Sequence, residues 1–308
     1  MKVPAPNGLS AELEGIPLVK LVFCINLATD KPLSELGPAA HVAFDIFRKY
    51  VPEASIRFYA TGTMSKHKPV NKRTLTMLQT WLAPGAKLND YAYLSYQDSA
   101  SFNHAPSSLF LVAGREEVKG KRAGDATLIR LSLAPELLPD DPKALVELTT
   151  SLWDALPLRS GQAGLALETT PYLKEQSHGH AIGISMRHPG IDIPVAANDG
   201  IMIGHDRMRG VGWLTLLDDA FVAKLGGVDA LTRAVGGLVT VIHAGHGVVL
   251  QAGPRPEPGD VNHGNPLPAY RAVYDAISPL MPQGRVPPLN LDRDWLARTE
   301  RWVHRFGR

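Results

Sequence analysis

The sequence predicts an α+β fold: a mixed, mostly antiparallel β-sheet, or sheets, with helices packed against it. Three observations carry this. In the first third, apolar runs of strand length alternate with stretches of helical period. Leu145, Leu148, Thr149, Leu152 and Leu156 repeat at the spacing of one buried helix face. Leu238–His243 and Gly247–Gln251 read as the two strands of a hairpin across Ala244-Gly245-His246. Composition agrees, since 308 residues at 44% apolar and 20% charged bury a large core and leave little room for long disorder.

In chain order, residues 1–16 form a Pro/Gly-containing lead-in, and Leu18–Leu27 is a nearly continuous apolar run that suits a strand covered on both faces. Gly37-Pro38 opens a helix, because proline at the first helical position loses no needed N–H; Ala43, Ile46, Phe47 and Tyr50 form its buried stripe and Pro52 stops it. Ser55–Ala60 is a short strand, Lys72–Leu82 a helix, and Tyr91–Tyr96 and Ser108–Ala113 are strands joined by the polar loop 97–106. Thr127–Leu133 alternates apolar positions with Arg130 and Ser132, as in a sheet covered on one side. Asp140-Asp141-Pro142 supplies the N-cap and first-turn proline of the Leu145–Leu156 helix. A Ser160-Gly161 turn then leads into a small-residue strand ending at Leu167.

Beyond Leu167 the pattern loosens until the strand Gly212–Leu217. The helices Asp219–Leu225 and Val228–Val235 follow, each closed by a Gly-Gly pair. After the hairpin and a loop over 252–267 come a helix Pro268–Leu280, a proline-rich linker and a last helix Leu291–Phe306. The halves read as two loosely similar β-α-β units without a residue-level repeat. The expected organisation is one domain over 17–282, with a boundary left open at the charged segment 115–125, and a linker plus amphipathic helix over 283–308.

The net charge of +2 gives no global case for binding nucleic acid or a membrane. The charge is uneven, however. Residues 134–229 hold thirteen Asp/Glu against seven Lys/Arg, a net of −6, between flanks of +5 and +3. Cys24 is the sole cysteine, which fits a reducing compartment, and the N-terminus lacks the apolar core of a signal peptide. Cytoplasmic residence is expected.

Chemistry-bearing constellations are weak. Seven of eleven histidines lie between His178 and His263, and His178-Gly-His180 and His243-Ala-Gly-His246 offer nitrogens to a metal. Neither has the spacing of a strong zinc signature. Ser160 and Ser185 lack the flanking glycines of a nucleophile elbow, and no glycine-rich loop cradles phosphate, so no cofactor is expected. Gly161, Gly164 and Ala166 suit close packing. In Arg187-His188-Pro189-Gly190-Ile191-Asp192-Ile193, Pro-Gly favours a type II turn with Gly190 at positive φ. Asp192 is either a buried partner of Arg187 or Arg209, or a recognition residue. Trp295, Thr299, Trp302 and Phe306 form a stripe that suits packing on the body, against arginines 293, 298, 301, 305 and 308.

Taken together, Leu156–Leu167 (LPLRSGQAGLAL), Arg187–Ile193 (RHPGIDI), the segment around Trp213 (GVGWLTLL) followed by KLGGVDAL, and AGPRPEPGDVNHGNPLPAYRAV over 252–273 resemble the type VI immunity family, formerly a domain of unknown function. The likeness covers residues 17–282. It makes Arg159, Ser160, Gly161, Gly164, Arg187, Gly190 and Trp213 motif residues of structural role. It implies a non-enzymatic protein that binds and neutralises a cognate toxin of the type VI secretion system, in many pairs a nuclease, with no metal, no direct nucleic-acid contact and no membrane. Gln162 and Thr215 stand where the family pattern has histidine and asparagine, which implies a different partner specificity. Asp192, Asp206, Asp218 and Asp219 of the acidic middle are the expected partner-facing residues, suited to a basic cleft. The rival reading is a metal-dependent hydrolase using the histidines of 178–263.

Overall fold

The longest apolar run becomes the middle of a single sheet in the computed structural model, which describes residues 9–83, 88, 91–99, 103–115, 124–170, 173–283, 286–289 and 294–307. β1 (Ala11–Leu13) turns through Glu14-Gly15 into β2 (Ile16–Thr29), longer than the apolar run by two residues at each end. Residues 1–8 of the expected lead-in lie outside the described residues.

α1 (Gly37–Tyr50) buries Ala40, Ala43, Phe44 and Phe47, so its stripe centres on Phe44, with Ile46 and Tyr50 half-buried. The Phe44 ring lies 4.5 Å from that of Tyr96 and 5.0 Å from that of Phe110. β3 (Phe58–Thr61) starts later than expected because Glu53–Ser55 first makes a 3₁₀ turn, and β4 (Lys68–Pro69) pairs with it. The single helix expected over 72–82 is two, α2 (Lys72–Leu75) and α3 (Met77–Trp81). Threonine hydroxyls compete with the helix ladder here: Thr74 Oγ1 donates to Asn71 O, Thr76 Oγ1 donates to Arg73 O, and the Thr74 carbonyl accepts from the Tyr96 hydroxyl at 2.7 Å.

β5 (Tyr91–Gln97), β6 (Leu109–Arg115) and β7 (Thr127–Leu133) follow. Residues 100–102 of the expected polar loop and 116–123 of the charged connection lie outside the described residues, while β6 and β7 themselves pair side by side. α4 (Pro142–Ala155) is capped by Asp141, whose carboxylate accepts the Lys143 N–H. β8 (Ser160–Thr169) already contains Ser160 and Gly161, paired with Ala28 and Leu27. The chain reverses earlier, where Leu158 N–H donates to Leu156 O, so no Ser-Gly turn forms.

Two helices fill the stretch where the pattern loosened: α5 (Lys174–Arg187) and α6 (Ala196–Ile203). β9 (Leu214–Asp218), α7 (Asp219–Lys224), α8 (Val228–Val235) and the hairpin of β10 (Val239–Ala244) and β11 (Gly247–Ala252) lie close to where the sequence puts them. α9 (Pro268–Ile277) ends in a 3₁₀ turn to Leu280. α10 (Asp294–Val303) is shorter than Leu291–Phe306; residues 290–293 and 308, including Arg293 and Arg308, lie outside the described residues.

The strand order is β10-β11-β9-β8-β2-β7-β6-β5-β3-β4, with β1 also on β2, and every strand pairing is antiparallel. The fold is thus α+β, its parallel element reduced to an isolated bridge between Ala166 and Asp192. The two β-α-β passages differ in reach: β2-α1-β3 steps over three strands, β7-α4-β8 over β2 alone.

The two faces of the sheet differ in chemistry. One carries Phe23, Ile25, Leu27, Ile129, Leu131, Leu133, Leu165 and Leu167, all in the main hydrophobic core. On the other, register sets Asn26 between Arg130 and Gln162, and Cys24 between Ser132 and Gly164. All seven residues of β7 are buried, so the polar face is not solvated as the alternation suggested. α5 and α6 lie over it, with α10 against α5.

Candidate functional site

Two lone polar residues of the strands, Asn26 of β2 and Gln162 of β8, join charged side chains from α6, the connecting segments and the C-terminal segment in a buried ion network. The Asp192 carboxylate accepts from Gln162 Nε2 at 2.5 Å and from Arg209 Nη2, and faces Arg305 Nη2 at 3.8 Å. Arg209 Nε lies 3.4 Å from Asp199, which accepts from Asn26 Nδ2 at 3.0 Å. Two aspartates thus balance two arginines, and the Arg209 and Arg305 guanidiniums both lie over the Trp302 ring, at 5.6 Å and 5.4 Å. Burial pushes the Asp199 carboxyl up to about 6 against the opposing pull of Arg209, and brings Arg305 down to about 10. Burial also raises the Cys24 thiol, which therefore stays protonated at neutral pH.

Beside this closed network the same face opens into a cleft of about 340 Å³. Arg130 lies on its floor, donating from Nη1 to Pro194 O at 2.7 Å, with its Nε 3.6 Å from Glu168 Oε1. Glu168 Oε1 accepts from Ser132 Oγ at 2.6 Å. The first turns of α5, through Lys174 and His178, and of α6, through Ala196 and Asn198, line the walls. Tyr93 and Leu111 contribute the apolar side.

The four expected partner-facing acids divide. Asp192 is buried in the network, paired with Arg209, while Arg187 turns outward to Asp260 at 3.0 Å. Asp218 is also buried: it caps α7 by accepting the Phe221 N–H at 2.8 Å and pairs with Arg159, which reaches Asp30 at 3.1 Å. Asp206 and Asp219 are exposed. The Asp219 N–H donates to His246 O, and the β10–β11 turn at Gly245 lies against Asp154 of α4, so Asp154 and Asp219 flank one hairpin turn.

Among the motif residues, Gly161, Gly164, Gly190 and Trp213 are closely packed, while Arg159 and Arg187 are in ion pairs. A Cβ on Gly161 would stand 2.8 Å from Leu27 Cδ2, and one on Gly164 3.1 Å from the backbone N of Trp213, whose Nε1 donates to Gly253 O. Gly190 is not at positive φ, contrary to the expected turn. Glycine is required there because a Cβ would sit 2.0 Å from Glu257 O. Ser160 is buried within β8, and Ser185 Oγ donates to Ile191 O while accepting Trp302 Nε1. Gln162 and Thr215, the departures from the family pattern, are both interior.

The histidines scatter rather than converge. His178, His188 and His246 each bond a backbone carbonyl, of Leu289, Gly259 and Leu158 respectively, and His263 meets Asp260. Among the described residues no group of three His, Cys, Asp or Glu side chains is placed to hold a metal ion. Sequence reasoning missed Asn26, Arg130, Glu168, Asp199 and Arg305. For Asn26, Arg130 and Glu168 the available signal was a polar residue inside an apolar strand, as with Asn26 in Val22–Leu27; Asp199, on a helix, and Arg305, after one, carried no such signal.

The family model TsiV, described as type VI immunity for VRR-NUC, matches residues 40–306. The fold is similar to that of a Pseudomonas aeruginosa T6SS protein, PA0821, with a TM-score of 0.78 and 21% identity, over 97% of this chain and 87% of that one. No curated protein sequence matches.

Proposed function

The chain belongs to the TsiV family, type VI immunity for VRR-NUC, and from that premise we propose that it neutralises a cognate VRR-NUC nuclease toxin of the type VI secretion system by binding it one to one, without an enzymatic step. The observation that carries this reading is the extent of the match, residues 40–306, which takes in the sheet from β3 onward, α1 from Ala40 and all of α2 to α10. A site of action in the cytoplasm follows from a toxin that attacks nucleic acid; no described helix is long and apolar enough to cross a membrane.

The toxin-facing surface is proposed to be acidic. Since Asp192 and Asp218 lie inside, the surface charge of the acidic middle rests on exposed side chains such as Asp206, Asp219 and Asp154. Charge of this kind acts on association rate more than on the bound state, and salt screens it.

The test is co-expression with the cognate toxin, followed by titration calorimetry and stopped-flow association kinetics of the purified pair. Rescue of growth and a one-to-one complex are expected. Asp154→Lys with Asp219→Lys should slow association about tenfold at low salt, with the difference shrinking as salt rises. No rescue refutes the immunity reading, whereas rescue with an unchanged, salt-insensitive association rate refutes the acidic surface alone.

A further inference from the structure

We propose that the cleft beside Arg130 binds a small organic anion, a carboxylate that also bears a hydroxyl. Its volume of about 340 Å³ falls at the small end of ligand sites, which run from roughly 300 to 1,000 Å³ and combine an apolar wall with a few convergent polar groups. Here the apolar wall is Tyr93 and Leu111.

Three independent features favour an anion. Arg130 is nearly fully buried; its Nη1 is pinned by Pro194 O and its buried Nε faces Glu168 at 3.6 Å, which fixes the guanidinium and leaves Nη2 as the donor for a ligand. Charge-assisted bonds from such a group are the strong ones. Two helices, α5 and α6, begin at the cleft, and neither N-cap residue, Leu173 or Val195, supplies a capping side chain. At α6 the Val195 N–H is taken by Asp199, so its positive end already meets a carboxylate; α5 opens at the cavity with Lys174, its own first-turn acid being the exposed Glu175. Finally, Lys174 is exposed at the mouth, so that Arg130 and Lys174 outweigh Glu168, whose Oε1 is already engaged by Ser132.

The hydroxyl is specified by His178. Its Nδ1 faces the Leu289 carbonyl at 2.9 Å and must carry the proton, which leaves Nε2 as an acceptor. A ligand O–H satisfies that nitrogen and a second carboxylate does not.

A matched series tests charge with shape held constant: 4-hydroxybenzoate, 4-hydroxybenzamide and 4-hydroxybenzylamine, titrated into the full chain by calorimetry with ligand-observed NMR. The anion is expected to bind at least about tenfold more tightly than the amide, and the amine most weakly. Lys174→Glu, at an exposed position that leaves the fold intact, should weaken the anion about tenfold or more and spare the amide; Arg130→Met should abolish the preference. The proposal is overturned if the amide or amine matches the anion, if Lys174→Glu changes nothing, or if none of the three binds at millimolar concentration. Protection of Tyr93 by the toxin in the last case assigns the cleft to a protein contact instead.

Discussion

Replacing Asp192 by alanine removes the central acceptor of the buried network, and the structure sets the size of the effect. The carboxylate receives Gln162 and Arg209 and faces Arg305. Without it two guanidiniums, 3% and 4% exposed at the side chain, are left with Asp199 as their compensating charge. Removing one partner of a buried pair costs about 3–5 kcal/mol, because the other charge stays desolvated, and the orphaned Gln162 amide adds about 1 kcal/mol. Against a total stability of about 5–15 kcal/mol this is a large share, equivalent to a fall in Tm of roughly 6–15 °C for a chain of this size. Urea unfolding followed by far-UV circular dichroism and by tryptophan fluorescence reads it, since Trp302 stacks on both arginines. Asp206→Ala, at a 71% exposed side chain, is the control and should stay within about 0.5 kcal/mol of the parent. Asp192→Leu combined with Arg209→Met should recover part of the loss, because it removes the guanidinium that the single variant orphans most directly, although Arg305 and Asp199 then lack these partners. A single variant within about 1 kcal/mol of the parent, or a double variant no better than the single, would show that the network does not hold the fold in this way.

Two further outcomes follow from the same packing and electrostatics. Gly190→Ala should destabilise by about 3 kcal/mol or more in denaturant unfolding, since its Cβ would overlap the Glu257 carbonyl, whereas Gly183→Ala in the exposed face of α5 meets nothing and should be neutral or stabilising by up to about 1 kcal/mol. Asp199 has a folded-state pKa raised from 3.8 to about 6, so the native state holds the extra proton between those values, and stability is lost as pH rises through that window. A tenfold difference in proton affinity between the folded and unfolded chain corresponds to about 1.4 kcal/mol, so the parent should lose about 2 kcal/mol relative to Asp199→Asn between pH 4 and pH 7. Parallel stability profiles for the two proteins would contradict this.

What the sequence made legible depended on local rules. The ends of β7 and α8 and the β10–β11 hairpin were readable because alternation, a helical stripe and a pair of glycines act within a few residues. α5 escaped because His178, Gly179, His180 and Gly183 interrupt its apolar stripe, and α6 because a chain of Ala, Asn, Asp and Gly gives eight residues with little amphipathic signature. The Asp192–Arg209 pair was visible as one of two alternatives, since an acid between two isoleucines needs a partner. The rest of the network was not visible. Asn26, Arg130 and Gln162 meet only because β2 lies between β7 and β8 in one register, a long-range property no window of sequence contains.

That dependence also runs from the network to the fold. β2 is fourteen residues long and apolar along most of its length, and it pairs along both edges, so its apolar content alone would tolerate a slip. A shift of one residue exchanges the two faces of a strand. Here it would drive Asn26 and Cys24 into the core now filled by Phe23, Ile25 and Leu27, and would set those apolar side chains against Arg130 and Gln162. Asn26 would also lose Asp199, leaving a buried carboxylate with one fewer donor. Buried ion pairs add little net stability over well-packed apolar groups, so the contribution of this polar row is to make the misregistered sheets worse. A sheet fixed in this way holds α5, α6 and the cleft between them in one position, which a site that recognises a ligand by charge and shape requires.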